Sequence, residues 1–97
     1  MPTFISLVSL TEQGVKDAKK IPTRIAATEK LFAQAGAKLK DVYLVMGEYD
    51  YVAVAEAPDA ATAAKAVLSL ASKGNVRTVT FPAFTRKEIA AIVKGLR

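Results

Sequence analysis

Strand-forming and helix-forming segments follow one another in this chain in an order that few folds accommodate. Thr3–Leu10 is rich in β-branched and aromatic residues and predicts a first strand. Two more strands are predicted at Lys40–Met46 and Tyr51–Glu56, and a fourth at Val76–Phe81. The second and third strands are joined by Gly47–Asp50, whose glycine and aspartate are turn formers, so we expect a hairpin there.

Two helices are predicted between these strands. The first runs from Pro22, which suits the first turn of a helix, to a left-handed cap at Gly36. One face of this helix is defined by spacings of three and four residues, at Ile21, Ile25, Thr28, Phe32 and Ala35. The second helix is rich in alanine, begins after Asp59 as its N-cap and is closed by Gly74.

The remaining segments are a loop and a C-terminal helix. Thr11–Lys20 is polar, contains Gly14 and predicts a loop. Thr85 and Glu88 have the spacing of a capping box, and Phe84 with Ile89 has that of a hydrophobic staple. A last helix is therefore predicted to begin at this point.

The order β-α-β-β-α-β predicts an α+β, ferredoxin-like fold with an extra C-terminal helix. The first and third strands are expected at the centre of the sheet, and the second and fourth at its edges. A chain of 97 residues is the size of one domain, so residues 1–97 are expected to form a single domain.

The predicted strands are apolar on both faces, which indicates self-association. In the first strand Phe4 and Val8 alternate with Ile5 and Leu7, and the second and third strands show the same pattern. The helices of this fold cover one face, and an apolar face left in water would be unusually large for a monomer. The C-terminal helix is one alternative cover, but twelve residues span only ~18 Å of helix. We expect a homo-oligomer that pairs through the sheet as a dimeric α+β barrel.

The composition excludes several kinds of chemistry. The chain has no histidine and no cysteine, so we expect no metal site, no histidine-ligated haem, no Ser-His-Asp catalysis and no cofactor. No apolar run approaches the ~18 residues of a membrane span, and no leader pattern is visible. A cytoplasmic protein without a membrane partner is therefore expected.

Three motifs stand out in the chain: Gly47-Glu48-Tyr49-Asp50, Glu56-Ala57-Pro58-Asp59 and Gly74-Asn75-Val76-Arg77-Thr78. They resemble motifs of the GYD family of small bacterial and archaeal proteins. The resemblance runs almost from end to end and implies the dimeric α+β barrel architecture, without implying a reaction. The first and last motifs are also similar to the effector domains of feast/famine transcription regulators, which bind amino acids between subunits near this turn.

Topology brings polar residues from separate segments to one edge of the sheet. The end of the first strand and the starts of the third and fourth strands meet there, close to the start of the first helix. The net charge of +5 and that helix N-terminus both favour an anion. The candidate ligand-binding residues are Thr11, Lys20, Arg24, Tyr49, Asp50, Asn75 and Arg77. A purely structural alternative is an ion pair between Arg77 and Asp50 or Glu48.

The sequence leaves two main functions open. The first is a non-catalytic, sensor-type homo-oligomer that binds a small carboxylate or phosphate at the subunit interface. The alternative is a small cofactor-free enzyme, of the isomerase or oxygenase type, with Asp50 or Tyr49 as its acid or base. RNA binding is not expected, because Ala53 and Ala55 occupy strand positions where stacking rings would be needed. No nucleic acid partner is therefore expected.

Overall fold

The computed structural model describes all 97 residues, Met1–Arg97. Its strands β1 to β4 span Thr3–Leu10, Lys38–Leu44, Tyr51–Glu56 and Val76–Ala83. Its helices α1 to α4 span Glu12–Val15, Ile21–Ala35, Ala60–Ala71 and Arg86–Lys94, and a 3₁₀ turn covers Ala18–Lys20. None of these helices is long and apolar enough to cross a membrane.

The four strands form one antiparallel sheet in the order β2-β3-β1-β4. The predicted α+β class and the central position of β1 and β3 are therefore confirmed. β4 extends two residues beyond its predicted end and includes Pro82. A proline is tolerated there because β4 lies at an edge of the sheet, where a missing N–H breaks no ladder of hydrogen bonds between central strands.

The helix ends follow local signals in the sequence. Gly36 adopts the left-handed conformation (φ 93°) after α2, where an L side chain would be strained. Asp59 accepts a hydrogen bond from the Thr62 N–H at 2.8 Å, and this bond lowers the pKa of the Asp59 carboxyl. Thr85 and Glu88 form the predicted reciprocal capping box at the start of α4.

Both predicted boundaries of β2 are wrong. β2 spans Lys38–Leu44 instead of Lys40–Met46, because Lys38 pairs with Glu56 and the chain leaves the sheet after Leu44. The register of β2 also shifts between Leu39 and Asp41, and such a bulge cannot be read from the alternation of side chains alone.

The Thr11–Lys20 segment is also more ordered than predicted. It contains α1 and the 3₁₀ turn, and the Thr11 hydroxyl caps α1 by accepting a hydrogen bond from the Gly14 N–H at 3.1 Å. Asp17 joins the two pieces in a left-handed conformation (φ 55°). The prediction of a loop is therefore wrong for this part of the chain, where hydrogen bonds to distant residues decide the local structure.

The core lies between α2, α3 and one face of the sheet. It is built mostly from alanine, and its buried side chains are Phe4, Phe32, Ala37, Ala55, Ala57, Ala63 and Ala66. Small side chains let α3 approach the sheet closely. They also fill little volume, which becomes important for the cavity described below.

The opposite face of the sheet, here called the open face, carries two apolar rows of side chains. The rows follow from the strand register and are Phe81-Ile5-Val54, which Asp41 continues on β2, and Val79-Leu7-Val52-Tyr43. Val79 is 50% exposed, Phe81 40% and Tyr43 57%. Polar residues lie beyond the rows: Ser9 pairs with Arg77 at one end of the face, and Thr3 pairs with Glu56 at the other.

Helix α4 does not bury this face. Its apolar side chains Ile89, Ile92 and Val93 are themselves about half exposed. The molecule is correspondingly elongated, with principal extents of 51 × 30 × 17 Å. The chain therefore presents two uncovered apolar surfaces, the open face and the stripe along α4.

Candidate functional site

The end of β1 is tied to the starts of β3 and β4 by hydrogen bonds. The Leu10 N–H donates to the Asp50 carboxylate at 2.8 Å, and the Asp50 N–H donates to the Val8 carbonyl. The Thr11 N–H donates to the Asn75 carbonyl at 3.1 Å, and the Thr11 hydroxyl donates to the Gly74 carbonyl at 2.6 Å. We call this region the strand-end junction. The structure thus brings Thr11, Asp50 and Asn75 together, and the bonds they form are internal.

Arg24 reaches the same junction from α2, but its guanidinium is occupied by the backbone. It donates to the carbonyls of Gly14 at 2.7 Å, Lys16 at 2.8 Å and Asp17 at 3.2 Å. These bonds satisfy the orphan carbonyls at the end of α1 and fix the following turn. Arg24 therefore anchors the segment between β1 and α2.

The other predicted site residues lie at the surface. Lys20 is exposed at the start of α2, Tyr49 is half-buried in the turn before β3, and Arg77 is exposed on the open face. None of these three side chains forms a hydrogen bond within the chain. The expected ion pair between Arg77 and Asp50 or Glu48 is absent, since the single ion pair joins Lys40 to Glu56 at 3.9 Å.

A cavity that the sequence did not reveal lies between α2, α3 and the helix-facing side of the sheet. Its volume is about 150 Å³, and most of its lining side chains are aliphatic or aromatic. Its lining includes Val8, Ile25, Phe32, Ala53, Val67 and Leu70. Arg24 and Asn75 also line it, so the cavity adjoins the strand-end junction.

Tyr51 is the polar residue that sequence reasoning missed. It is 7% exposed, lines the cavity, and its hydroxyl forms no hydrogen bond within the chain. Burial raises the pKa of the Tyr51 phenol; the Arg24 charge lowers this pKa and the Asp50 charge raises it. The signal available in the sequence was the pattern Tyr51, Ala53, Ala55, which places two small residues next to a tyrosine on one face of a strand.

These features define a class of protein: a small α+β domain with a ferredoxin-like sheet, an apolar cavity under its helices and an uncovered second face. The chain belongs to the GYD family, because the model of the GYD domain matches residues 4–93, nearly its whole length. The resemblance noted in the sequence is thereby confirmed.

A relative from Thermus thermophilus is 43% identical over 95 residues, which cover 97% of this chain and 100% of the relative. That protein is described as a glutamine synthetase and cystathionine beta-lyase binding protein.

Two solved structures resemble the fold. One is a protein of Thermus thermophilus, with a TM-score of 0.57 and 26% identity, over 88% of this chain and 95% of that one. The other is a feast or famine regulatory protein from M. tuberculosis complexed with L-methionine, with a TM-score of 0.66 and 18% identity. The match covers 88% of this chain but only 51% of the regulator, so the chain spans about half of that protein and the likeness concerns the fold alone.

The close packing at the strand-end junction generates a prediction for Gly14. A Cβ atom at Gly14 would overlap the carbonyl oxygen of Asn75 and lie 2.9 Å from its carbonyl carbon. The Gly14→Ala variant must therefore push α1 away from β4, and we expect its free energy of unfolding to fall by about 2 kcal/mol. Urea denaturation followed by circular dichroism measures this difference.

Gly95→Ala is the matched control. Gly95 has an ordinary φ of −86°, and an added Cβ would lie 3.5 Å from the nearest atom, the Ile92 carbonyl oxygen. We expect its stability to equal that of the wild type. Equal stabilities of the Gly14→Ala variant and the wild type would show that the junction is not packed as described.

Proposed function

We propose that this chain is a non-catalytic binding protein that acts as a homo-oligomer and docks onto enzymes of amino-acid metabolism. The observation that carries the proposal is the relative described as binding glutamine synthetase and cystathionine beta-lyase, which is 43% identical over almost the full length of both chains. The match covers 97% of this chain and 100% of the relative.

The homo-oligomer is supported by the composition of the open face. Two adjacent rows of apolar side chains lie between polar rows at either end, which is the pattern of an interface with an apolar centre and a polar rim. A second copy brings the same apolar rows and covers them symmetrically, sheet against sheet. This pairing is the dimeric α+β barrel expected from the sequence.

Pairing through the open face leaves the stripe of α4 for an enzyme partner. Ile89, Ile92 and Val93 follow helical spacing and are about half exposed. Apolar side chains that become fully desolvated are the usual source of binding energy at protein interfaces. We therefore assign the contact with the partner enzyme to this stripe.

A small anion at the subunit boundary is the second part of the proposal. Arg77 lies at the polar end of the open face and has no ion pair, so its charge is available beside a second copy. Lys20 adds a second exposed positive charge at the start of α2. Arg24 contributes its positive charge to the region, while its N–H groups hold the backbone.

The enzyme contact is tested by surface plasmon resonance with immobilised glutamine synthetase and cystathionine beta-lyase of Thermus thermophilus. We expect saturable binding of the wild-type chain to at least one enzyme. We also expect Ile92→Lys to weaken this binding at least tenfold, since one buried charge costs more than about 1.4 kcal/mol. The control Ala91→Lys adds the same charge at an exposed position on α4 and should bind like the wild type.

The Thermus relative serves as the positive control for the immobilised enzymes. Binding of the relative without any binding of this chain would contradict the proposed partners. Equal loss of binding in Ile92→Lys and Ala91→Lys would contradict the assignment of the contact to the apolar stripe.

The anion is tested by thermal unfolding in the presence of phosphate or L-glutamate. Ligand that binds only the folded form, at ~100 times its Kd, stabilises that form by ~2.7 kcal/mol, so the melting temperature of the wild type should rise. Arg77→Ala should abolish the rise without changing the mass of the assembly. Arg97→Ala removes the same charge at the exposed C-terminus and should keep the rise; identical behaviour of the two variants would argue against the site.

A further inference from the structure

We propose that the cavity between α2, α3 and the sheet is a binding site for a small, mostly apolar molecule whose single neutral acceptor group accepts a hydrogen bond from the Tyr51 hydroxyl. This inference goes beyond the proposed function, because it concerns a site inside one chain. It depends neither on the open face nor on a partner enzyme.

The size and lining of the cavity define the body of the ligand. The cavity holds about 150 Å³ and is lined mainly by aliphatic and aromatic side chains. A cavity of this volume is large enough for a benzene ring. It is partly open to solvent, and water against its mainly apolar wall has few polar partners, so an apolar ligand displaces that water at little cost. A ring or a branched chain of roughly six to nine carbon atoms matches these dimensions.

The alanine-rich core explains why the space exists. Ala53 lines the cavity from the sheet, and Ala55, Ala63 and Ala66 form the neighbouring core. No large side chain of the protein is completely buried. An unfilled apolar cavity lowers the stability of the fold, because the surrounding side chains lose their packing partners. A ligand that fills the space restores those contacts, so its binding and the stability of the chain are coupled.

The Tyr51 hydroxyl defines the polar end of the ligand. Tyr51 is largely buried, at 7% exposure, but its hydroxyl oxygen remains accessible to solvent and has no hydrogen-bond partner within the chain. Such an O–H group exchanges a hydrogen bond to water for one to an acceptor that enters the cavity, with a modest net gain in free energy. The Tyr51 hydroxyl is therefore a donor without a partner in the chain, within a lining that is mainly apolar.

The surrounding charges favour a neutral acceptor over a carboxylate. Arg24 and Asp50 both act on the Tyr51 phenol, with opposite signs. Arg24 has already given its N–H groups to three backbone carbonyls, and Asp50 accepts from Leu10. Neither side chain is free to hold an anion inside the cavity. Lys73 also lines the cavity, but this residue is exposed and keeps its ammonium group in water. A ketone, ester or amide carbonyl on an apolar body is the chemistry that fits.

Two probes of nearly equal shape distinguish binding to the apolar cavity from the hydrogen bond to the Tyr51 hydroxyl. Ethylbenzene and acetophenone differ by the exchange of a methylene group for a carbonyl group. We expect both to bind the wild type, as measured by titration of amide chemical shifts in ¹H–¹⁵N NMR spectra, and acetophenone to bind more tightly. The shifted amides should lie in α2, α3 and the central strands. Shifts confined to the stripe of α4, or no binding at millimolar concentrations, would overturn the proposal.

The Tyr51→Phe variant tests the hydrogen bond. The hydroxyl that it removes has no partner in the chain, so the variant should melt at the wild-type temperature or higher. Its affinity for acetophenone should fall about fivefold, the equivalent of one neutral hydrogen bond, and its affinity for ethylbenzene should be unchanged. Tyr43→Phe, at an exposed tyrosine of the open face, is the matched control and should bind both probes like the wild type.

The Ala53→Leu variant tests the cavity itself. A larger side chain at this position occupies the space, so binding of both probes should be lost. Wild-type affinity in Ala53→Leu would overturn the assignment of the site. Equal weakening of both probes by Tyr51→Phe, or weakening of neither, would overturn the role of the hydroxyl. If a variant does not fold, the amides that shift in the titration of the wild type still show whether the probes bind in the cavity.

Discussion

The sheet has two apolar faces, and the chain supplies helices for only one of them. The core between the sheet and α2 and α3 is thin and built largely from alanine, while the open face carries two apolar rows that nothing within the chain buries. Burial of apolar surface is the main favourable contribution to folding. The apolar surface of the open face is therefore available for burial against another molecule. This surface is the basis of the proposal that a second copy pairs through the open face.

The strand-end junction joins three strands and α2. It provides hydrogen-bond partners for backbone groups that lie beyond the ends of the strands and helices. Asp50, Thr11 and Arg24 each satisfy N–H or carbonyl groups of distant segments. Gly14 allows α1 to approach β4 closely. The sequence predicts a ligand site here because polar side chains converge. Thr11, Arg24, Asp50 and Asn75 do converge, and hydrogen bonds to the backbone account for most of this arrangement. Lys20 and Arg77 are the predicted site residues whose charges have no partner in the chain.

Much of the fold could be predicted from local signals. The strand order follows from the β-α-β-β-α-β sequence of elements, and Gly36, Asp59 and Thr85 mark helix ends through their own conformational preferences. The structure between Thr11 and Lys20 could not be predicted, because α1 is held by Arg24 and by residues more than sixty positions away. The bulge in β2 and the cavity beside Tyr51 were also missed, since both depend on how three-dimensional neighbours fill space and not on the spacing of residues along the chain.

The central claim is that a second copy covers the open face, and the native mass tests it most directly. Sedimentation or native mass spectrometry at micromolar concentration should give twice the 10.3 kDa mass of one chain, or a larger even multiple. Val54→Asp places a charge on the open face and should give a 10.3 kDa species or an unfolded chain, while Val15→Asp, at an exposed valine outside this face, should keep the wild-type mass. A folded wild-type protein of 10.3 kDa would contradict the account.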